Sequence, residues 1–89
     1  MSNELTVADI RERWNLVLDR LEREDRIAWI AYFDGRVDSF DNNRLTLDFR
    51  DSQKLASGHD YFDARVRLRS TIQGVIYDVL GINVVVVEK

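Results

Sequence analysis

The chain contains no cysteine and no proline, and it has one histidine and four glycines among its 89 residues. The lack of cysteine excludes disulfides and thiolate metal sites, and it agrees with a reducing compartment such as the cytoplasm. No apolar run approaches the roughly 18 residues that a membrane span requires, and the first residues do not resemble a signal peptide. We therefore expect a cytoplasmic protein that is neither secreted nor inserted in a membrane.

The composition is that of one folded domain covering residues 1–89. Hydrophobic residues make up 45% of the chain and charged residues 33%, with a net charge of −3. A chain of this length buries roughly 60 to 65% of its unfolded surface, which suffices for one core. The negative net charge gives no long-range attraction to phosphate backbones and so disfavours nucleic acid as a partner.

Two helices are predicted in the first part of the chain. Thr6 and Asp9 have the spacing of a capping box at the start of the first helix. Its apolar residues follow at helical spacing on one face: Val7, Ile10, Trp14, Val17, Leu18 and Leu21. Asp25 caps a short second helix that ends at Asp34 and Gly35. We expect its inner face to be Trp29, Ile30 and Phe33.

A hairpin is predicted next. The sequence "RVDSF" forms one strand, "DNN" the turn, and "RLTLDFR" a second strand with Leu45, Leu47 and Phe49 on its inner face. Val37 and Phe40 have opposite parity along the first strand. Two explanations remain open, namely a bulge between them or a place for Phe40 in the turn.

The last part of the chain predicts a helix and a strand. Residues 51–57 form a turn or two of helix, and a long helix then begins near Asp60 and ends at Gly81. Its inward residues are Leu68, Ile72, Val75, Ile76 and Val79. The sequence "INVVVVE" is apolar on both faces, which favours a central strand. The result is an α+β fold of order α-α-β-β-α-β with a three-stranded sheet packed by helices.

Neither catalysis nor metal binding is indicated. Catalysis needs a titratable group held near a partner in a pocket, and the carboxylates here lie mainly on helix exteriors or in caps. His59 is predicted in a loop, where with Asp60 and Asp63 it gives only a weak metal signal. We therefore expect no enzyme, no cofactor and no metal.

A nucleic-acid interface is the competing hypothesis. Domains of the KH type clamp single strands with a "GXXG" loop, whereas the glycines of this chain are isolated. Arg65, Arg67 and Arg69 are the best basic cluster, although Arg67 points away from the other two on a helix. The alternative function is thus a KH-like binder of single-stranded nucleic acid that uses its sheet or Arg65 and Arg69.

A second stripe on the long helix is the candidate site for a protein partner. It flanks the core stripe and consists of Phe62, Val66, Arg69, Gln73 and Tyr77. Leu16, on the charged side of the first helix, is added as an exposed apolar residue. Such a stripe either widens the core or binds a partner, and its aromatic, aliphatic and arginine content is typical of interfaces. Trp14 and Trp29, in contrast, are predicted to pack in the core.

Four segments in order, "IRERWNLVLDRLE", "AWIAYF", "DSFDNNRLTLDF" and "VIYDVLGINVVVVEK", resemble the small KH-like interaction domains of bacterial replication proteins. One such domain belongs to the tau/gamma subunit of DNA polymerase III and joins the clamp-loader oligomer. The other is the N-terminal domain of the replication initiator DnaA. The resemblance implies an oligomerisation or protein-protein interaction module, with Trp14 at the position of the initiator's first-helix aromatic. The connection after the second strand has no proline and is closer to tau/gamma. The partner would be a replisome subunit or a second copy of the chain.

Overall fold

The computed structural model describes residues 5–49 and 62–89. The elements are α1 (Val7–Glu24), α2 (Arg26–Tyr32), β1 (Arg36–Asp41), β2 (Arg44–Asp48), α3 (Phe62–Arg67), α4 (Arg69–Leu80) and β3 (Val85–Glu88). The predicted α+β fold and its order α-α-β-β-α-β are confirmed, with the last helical stretch divided at Leu68. The predicted helix at 51–57 and the start of the long helix near Asp60 lie outside the described residues.

Helix α1 begins and packs as its sequence predicts. The Thr6 hydroxyl accepts a hydrogen bond from the Asp9 N–H at 3.2 Å, and the Asp9 carboxylate accepts one from the Thr6 N–H at 3.0 Å. This capping box satisfies two N–H groups that the helix itself leaves unpaired. The buried residues are Ile10, Trp14, Val17 and Leu21, with Val7 and Leu18 partly buried beside them.

Helix α2 begins at the predicted cap but buries a different face. The Asp25 carboxylate accepts from the Ala28 N–H at 3.1 Å. The fully buried residues are Ala28, Ala31 and Tyr32, whereas Trp29 and Ile30 are only partly buried and Phe33 is 41% exposed. The predicted inner face was therefore wrong. The alanines lie inside because small side chains let α2 approach α1 closely.

Gly35 follows α2 for a reason other than the predicted one. It does not adopt the left-handed conformation that ends many helices. Instead, a Cβ atom at this position would lie 2.5 Å from the Phe49 ring. Glycine is required here because the chain passes directly against that aromatic ring.

The hairpin of β1 and β2 is antiparallel, and its turn consists of Asn42 and Asn43 with φ angles of 53° and 63°. Asparagine tolerates this left-handed region better than most residues, as the sequence predicts. The register shifts between Val37 and Ser39, and Phe40 pairs with Leu45 within the strand. The structure thus decides the open question in favour of a bulge, which lets Val37 and Phe40 face the same side.

Helix α4 ends at Gly81 in the left-handed conformation, with φ of 74°, as predicted. Strand β3 then pairs in parallel with β2, and the strand order is β1-β2-β3. In the described part of the chain β2 is therefore the central strand and β3 an edge strand, so the predicted central position of β3 was wrong. Valine on both faces did not mean burial on both, because Val86 is 1% exposed and Val85 is 54% exposed.

The core lies between the helices and one face of the sheet. Its strand residues alternate, and those on the inner face are Val37, Leu45, Leu47 and Val86. Helix α1 packs against β1, α2 and α4, while α4 also contacts β3. Within residues 5–49 and 62–89, no helix is both long and apolar enough to cross a membrane.

Candidate functional site

The second stripe of the C-terminal helices exposes two apolar side chains. Val66 is 44% exposed on α3 and Tyr77 is 52% exposed on α4. Phe62 is the first residue of α3, and its side chain lies outside what the structure describes. Among the side chains of the stripe that the structure describes, Val66 and Tyr77 are the exposed apolar ones.

Gln73 and Arg69 make contacts within the domain. The side-chain oxygen of Gln73 accepts a hydrogen bond from the Val86 N–H at 2.9 Å. Arg69 lies near Tyr32, where burial raises the tyrosine pKa and the charge of Arg69 acts against that effect. Both side chains are partly buried. Sequence reasoning placed them in the interface without revealing these internal roles, which depend on residues far along the chain.

The contact of Gln73 with Val86 shows where the stripe lies. Asp78, on the opposite flank of α4, has a carboxylate oxygen 3.9 Å from the Arg20 guanidinium of α1. At about 100° per residue, Gln73 lies roughly 140° around the helix from Asp78. Tyr77 is four positions after Gln73 and therefore lies on the Gln73 flank, away from α1. The stripe therefore borders the outer edge of β3.

Leu16 does not belong to this surface. It is 57% exposed on α1, four positions before Arg20 and hence on the α1 flank that faces α4. The stripe lies on the other flank of α4, beside β3. The structure therefore does not bring Leu16 together with Val66 and Tyr77.

A buried polar cluster joins α2, α3 and β3. The Nε of Arg65 lies 2.9 Å from a carboxylate oxygen of Glu88, and the guanidinium carbon lies 4.0 Å from the centre of the Phe49 ring. The Tyr32 hydroxyl donates to the backbone oxygen of Arg65. Burial, and secondly the negative charge of Glu88, raise the pKa of Tyr32 to about 12. The sequence carries no local signal for this cluster.

The buried position of Arg65 weakens the nucleic-acid hypothesis. Arg65 is 9% exposed and its charge is paired with Glu88. A phosphate group would have to compete with that carboxylate inside the domain. Of the predicted basic cluster, only Arg67 is exposed, since Arg69 is partly buried.

A groove of about 580 Å³ lies between α1 and β1. Its apolar lining includes Trp14, Leu18 and Phe33, and its polar lining includes Arg11 and Asp38. Arg11 donates through Nε to the Val37 carbonyl and through Nη2 to the Asp38 carbonyl, both at 3.0 Å. The arginine thus holds the outer edge of β1.

No metal site is formed by the part of the chain that the structure describes. Within it, no group of three or more His, Cys, Asp or Glu side chains converges. Asp63 is exposed at the start of α3. His59 and Asp60, the other members of the weak sequence signal, lie outside the described residues.

Helix α2 also carries exposed apolar side chains, namely Phe33, which was predicted on its inner face, and Ile27, for which no prediction was made. Ile27 is 68% exposed on α2, and the Trp29 and Phe33 rings stack with their centres 4.9 Å apart. One signal in the sequence indicates this orientation. Ala28 and Ala31, three positions apart, lie on the buried face of α2.

The chain was compared with protein-family models, with curated proteins and with solved structures, and none of these comparisons found a match.

Proposed function

We propose that this domain is a non-catalytic interaction module that self-associates, and that it serves oligomerisation in bacterial DNA replication. The observation that carries the proposal is the exposure of Val66 on α3 and of Tyr77 on α4, at 44% and 52%. The assignment to replication rests on the resemblance of the sequence segments to KH-like domains of the clamp loader and of the initiator. The occupant of the surface is a second copy of the chain.

The surface has the composition of an interface centre. Tyrosine contributes a large apolar area with few rotatable bonds, and aromatic residues dominate the binding energy of protein interfaces. On the adjacent strand β3, Val85 is a further exposed apolar side chain, at 54%, and it points to the face of the sheet opposite the helices. The strand edge beside the stripe offers backbone hydrogen-bonding groups, so that apolar and polar contacts are available together.

The nucleic-acid alternative has less support. Arg36 and Arg44 are exposed on the hairpin, but they pair across the strands with Asp48 and Asp41 in the register. Opposite charges at such close spacing cancel the local field that a phosphate backbone requires. Fluorescence anisotropy with a labelled single-stranded oligonucleotide at low salt separates the two functions, because phosphate binding would show a steep salt dependence.

Analytical ultracentrifugation over a range of concentrations tests self-association. We expect the dissociation constant of the Tyr77→Ser variant to rise about tenfold or more, since tyrosine is enriched among the interface residues whose truncation costs about 2 kcal/mol or more. Ile27→Ser is the matched control, because Ile27 is also exposed but lies on α2. A wild-type protein that stays monomeric at every concentration, or equal weakening by both variants, would overturn the proposal.

The assignment to replication has its own test. A nuclease-treated lysate of the host bacterium is passed over the tagged wild-type domain and over the Tyr77→Ser variant, followed by mass spectrometry. We expect full-length clamp-loader or initiator subunits, which carry domains of this kind, to be retained by the wild type and depleted with the variant. Retention of neither class would contradict the assignment to replication, whatever the result for self-association.

A further inference from the structure

The backbone of β3 has one side that faces β2 and one that faces outward. The Val85 N–H donates to the Asn43 carbonyl at 2.7 Å, and the Lys89 N–H donates to the Leu47 carbonyl at 2.8 Å. Backbone groups alternate in direction along a strand. Val86 and Glu88 therefore direct their N–H and C=O groups away from the sheet, at an edge where the described residues place no further strand.

The two edges of the sheet are protected to different degrees. On β1, the charged guanidinium of Arg11 binds the carbonyls of Val37 and Asp38. On β3, a neutral amide, the side chain of Gln73, binds the Val86 N–H. That amide oxygen occupies the position where the carbonyl of a neighbouring strand would accept. A flexible side chain in such a place can be replaced by a backbone carbonyl at little cost, because one hydrogen bond is exchanged for another.

We propose that β3 pairs in antiparallel fashion with β3 of a second copy, so that the two sheets become one continuous sheet. Val86 lies opposite Val86 of the second copy, and Val85 lies opposite Val87 of the second copy. This inference rests on the self-association proposed above and assigns its geometry. The pairing is self-complementary, as the two-fold symmetry of a homodimer requires.

The hydrogen bonds of this arrangement balance. Each Val86 donates its N–H to the carbonyl of the other and accepts in return, and Gln73 is released in both copies. Val85 and Val87 form a pair without backbone hydrogen bonds, in which side chains approach most closely, with Cα atoms about 4.5 Å apart. The contact with Val87 of the second copy reduces the exposure to water that Val85 has in the single domain.

The charges near the edge do not oppose the contact. Glu88 is paired with Arg65 at 2.9 Å, and the Lys89 ammonium lies 3.4 Å from the Asp38 carboxylate. The strand itself is otherwise valine, a residue that favours extended structure and sheet pairing. An edge of this kind, unless blocked by charge, is a template for another strand.

Disulfide cross-linking tests the register, because the chain has no cysteine of its own. We expect the variant Val85→Cys/Val87→Cys to form a covalent dimer under mild oxidation, visible on a non-reducing gel and lost on reduction. The matched control is the single variant Ile27→Cys, which is exposed on α2 and should remain monomeric under the same conditions.

A second variant addresses the uncross-linked protein. Val85→Lys places a charge at the edge, and we expect it to raise the dissociation constant at least tenfold in ultracentrifugation while Val85→Thr changes it little. The exposed position of Val85 allows both variants to fold, which thermal melting verifies. If the wild type self-associates but Val85→Lys does so equally and no cross-link forms, the β3 pairing is wrong and the proposed function stands. If the wild type is monomeric, both are overturned.

Discussion

The Arg65 guanidinium binds the Glu88 carboxylate at 2.9 Å and so connects helix α3 to the edge strand β3. Both side chains are largely buried, at 10% and 16% exposure. Phe49 lies against the guanidinium with its ring centre 4.0 Å away, a distance at which a cation–π interaction is favourable. This ion pair thus holds α3 against β3, the two elements that border the proposed interface.

Replacing Arg65 by Met should destabilise the domain by about 3 to 5 kcal/mol, because Glu88 would be left as a buried charge without its partner. The double variant Arg65→Met/Glu88→Met should recover most of that loss, since an apolar pair of similar volume needs no compensation. Urea denaturation measures both. Equal stability of the two variants would show that the ion pair does not hold the cluster together.

Because Tyr32 is buried, we expect the domain to lose stability in alkaline solution. Its pKa is raised to about 12 by burial and by the charge of Glu88, so the folded state favours the neutral phenol. The stability that this group contributes is complete below pH 10 and is lost as the pH rises from 10 to 12. Denaturant titrations across this range should show a steeper fall for the wild type than for Tyr32→Phe.

The matched control is Tyr77→Phe, which alters a tyrosine that is 52% exposed. Its stability should fall with pH in parallel with the wild type. A parallel fall for Tyr32→Phe as well would show that Tyr32 ionises without opposing the fold.

Substitution by alanine should have opposite effects on stability at Gly35 and at Gly74. A Cβ at Gly35 would lie 2.5 Å from the Phe49 ring, so Gly35→Ala should cost about 1 to 3 kcal/mol through overpacking. A Cβ at Gly74, inside α4, would meet no described atom within 4 Å apart from its own stretch of helix, so Gly74→Ala should stabilise by about 0.5 to 1 kcal/mol. Thermal melting of both variants gives the comparison. Shifts of the same sign would contradict it.

Because of the capping box at the start of α1, we expect the stability of the domain to fall at low pH. Thr6→Ala should cost about 1 kcal/mol. The Thr6 backbone N–H, followed by its hydroxyl, lowers the pKa of Asp9. The contribution of Asp9 is present above its unfolded pKa and is lost as the pH falls through the folded value. Acid titration of the helical circular dichroism should therefore differ between the wild type and Asp9→Asn, and coincident curves would refute the effect.

The sequence predicted the long and regular elements because local patterns determine them. In α1, the spacing of Ile10, Trp14, Val17 and Leu21 leaves one apolar face, and the capping residues mark its start. The paired asparagines at 42 and 43 marked the hairpin turn for the same reason. These signals depend on neighbouring residues alone, so no knowledge of the rest of the chain was needed.

The predictions were wrong or incomplete where contacts between residues far apart in the sequence determine the structure. Helix α2 has only seven residues, so its pattern permits more than one inner face, and the choice depends on Tyr32 reaching the carbonyl of Arg65. The helical pattern that predicted the interface stripe could not show that Gln73 and Arg69 contact other elements of the domain. The edge position of β3 depends on the topology of the sheet, which valine composition does not encode.

The parallel pairing of β2 with β3 has a consequence for the order of folding. Phe40 pairs with Leu45 across a tight turn of two residues. Leu45 can pair with Val86 only after the helices between β2 and β3 have folded against the sheet. Closing such a long loop is entropically costly, so the hairpin should form early and β3 should dock late. A destabilising change in β3 would then mainly accelerate unfolding and leave the refolding rate almost unchanged. The strand assigned to pairing between copies is thus also the one expected to detach first.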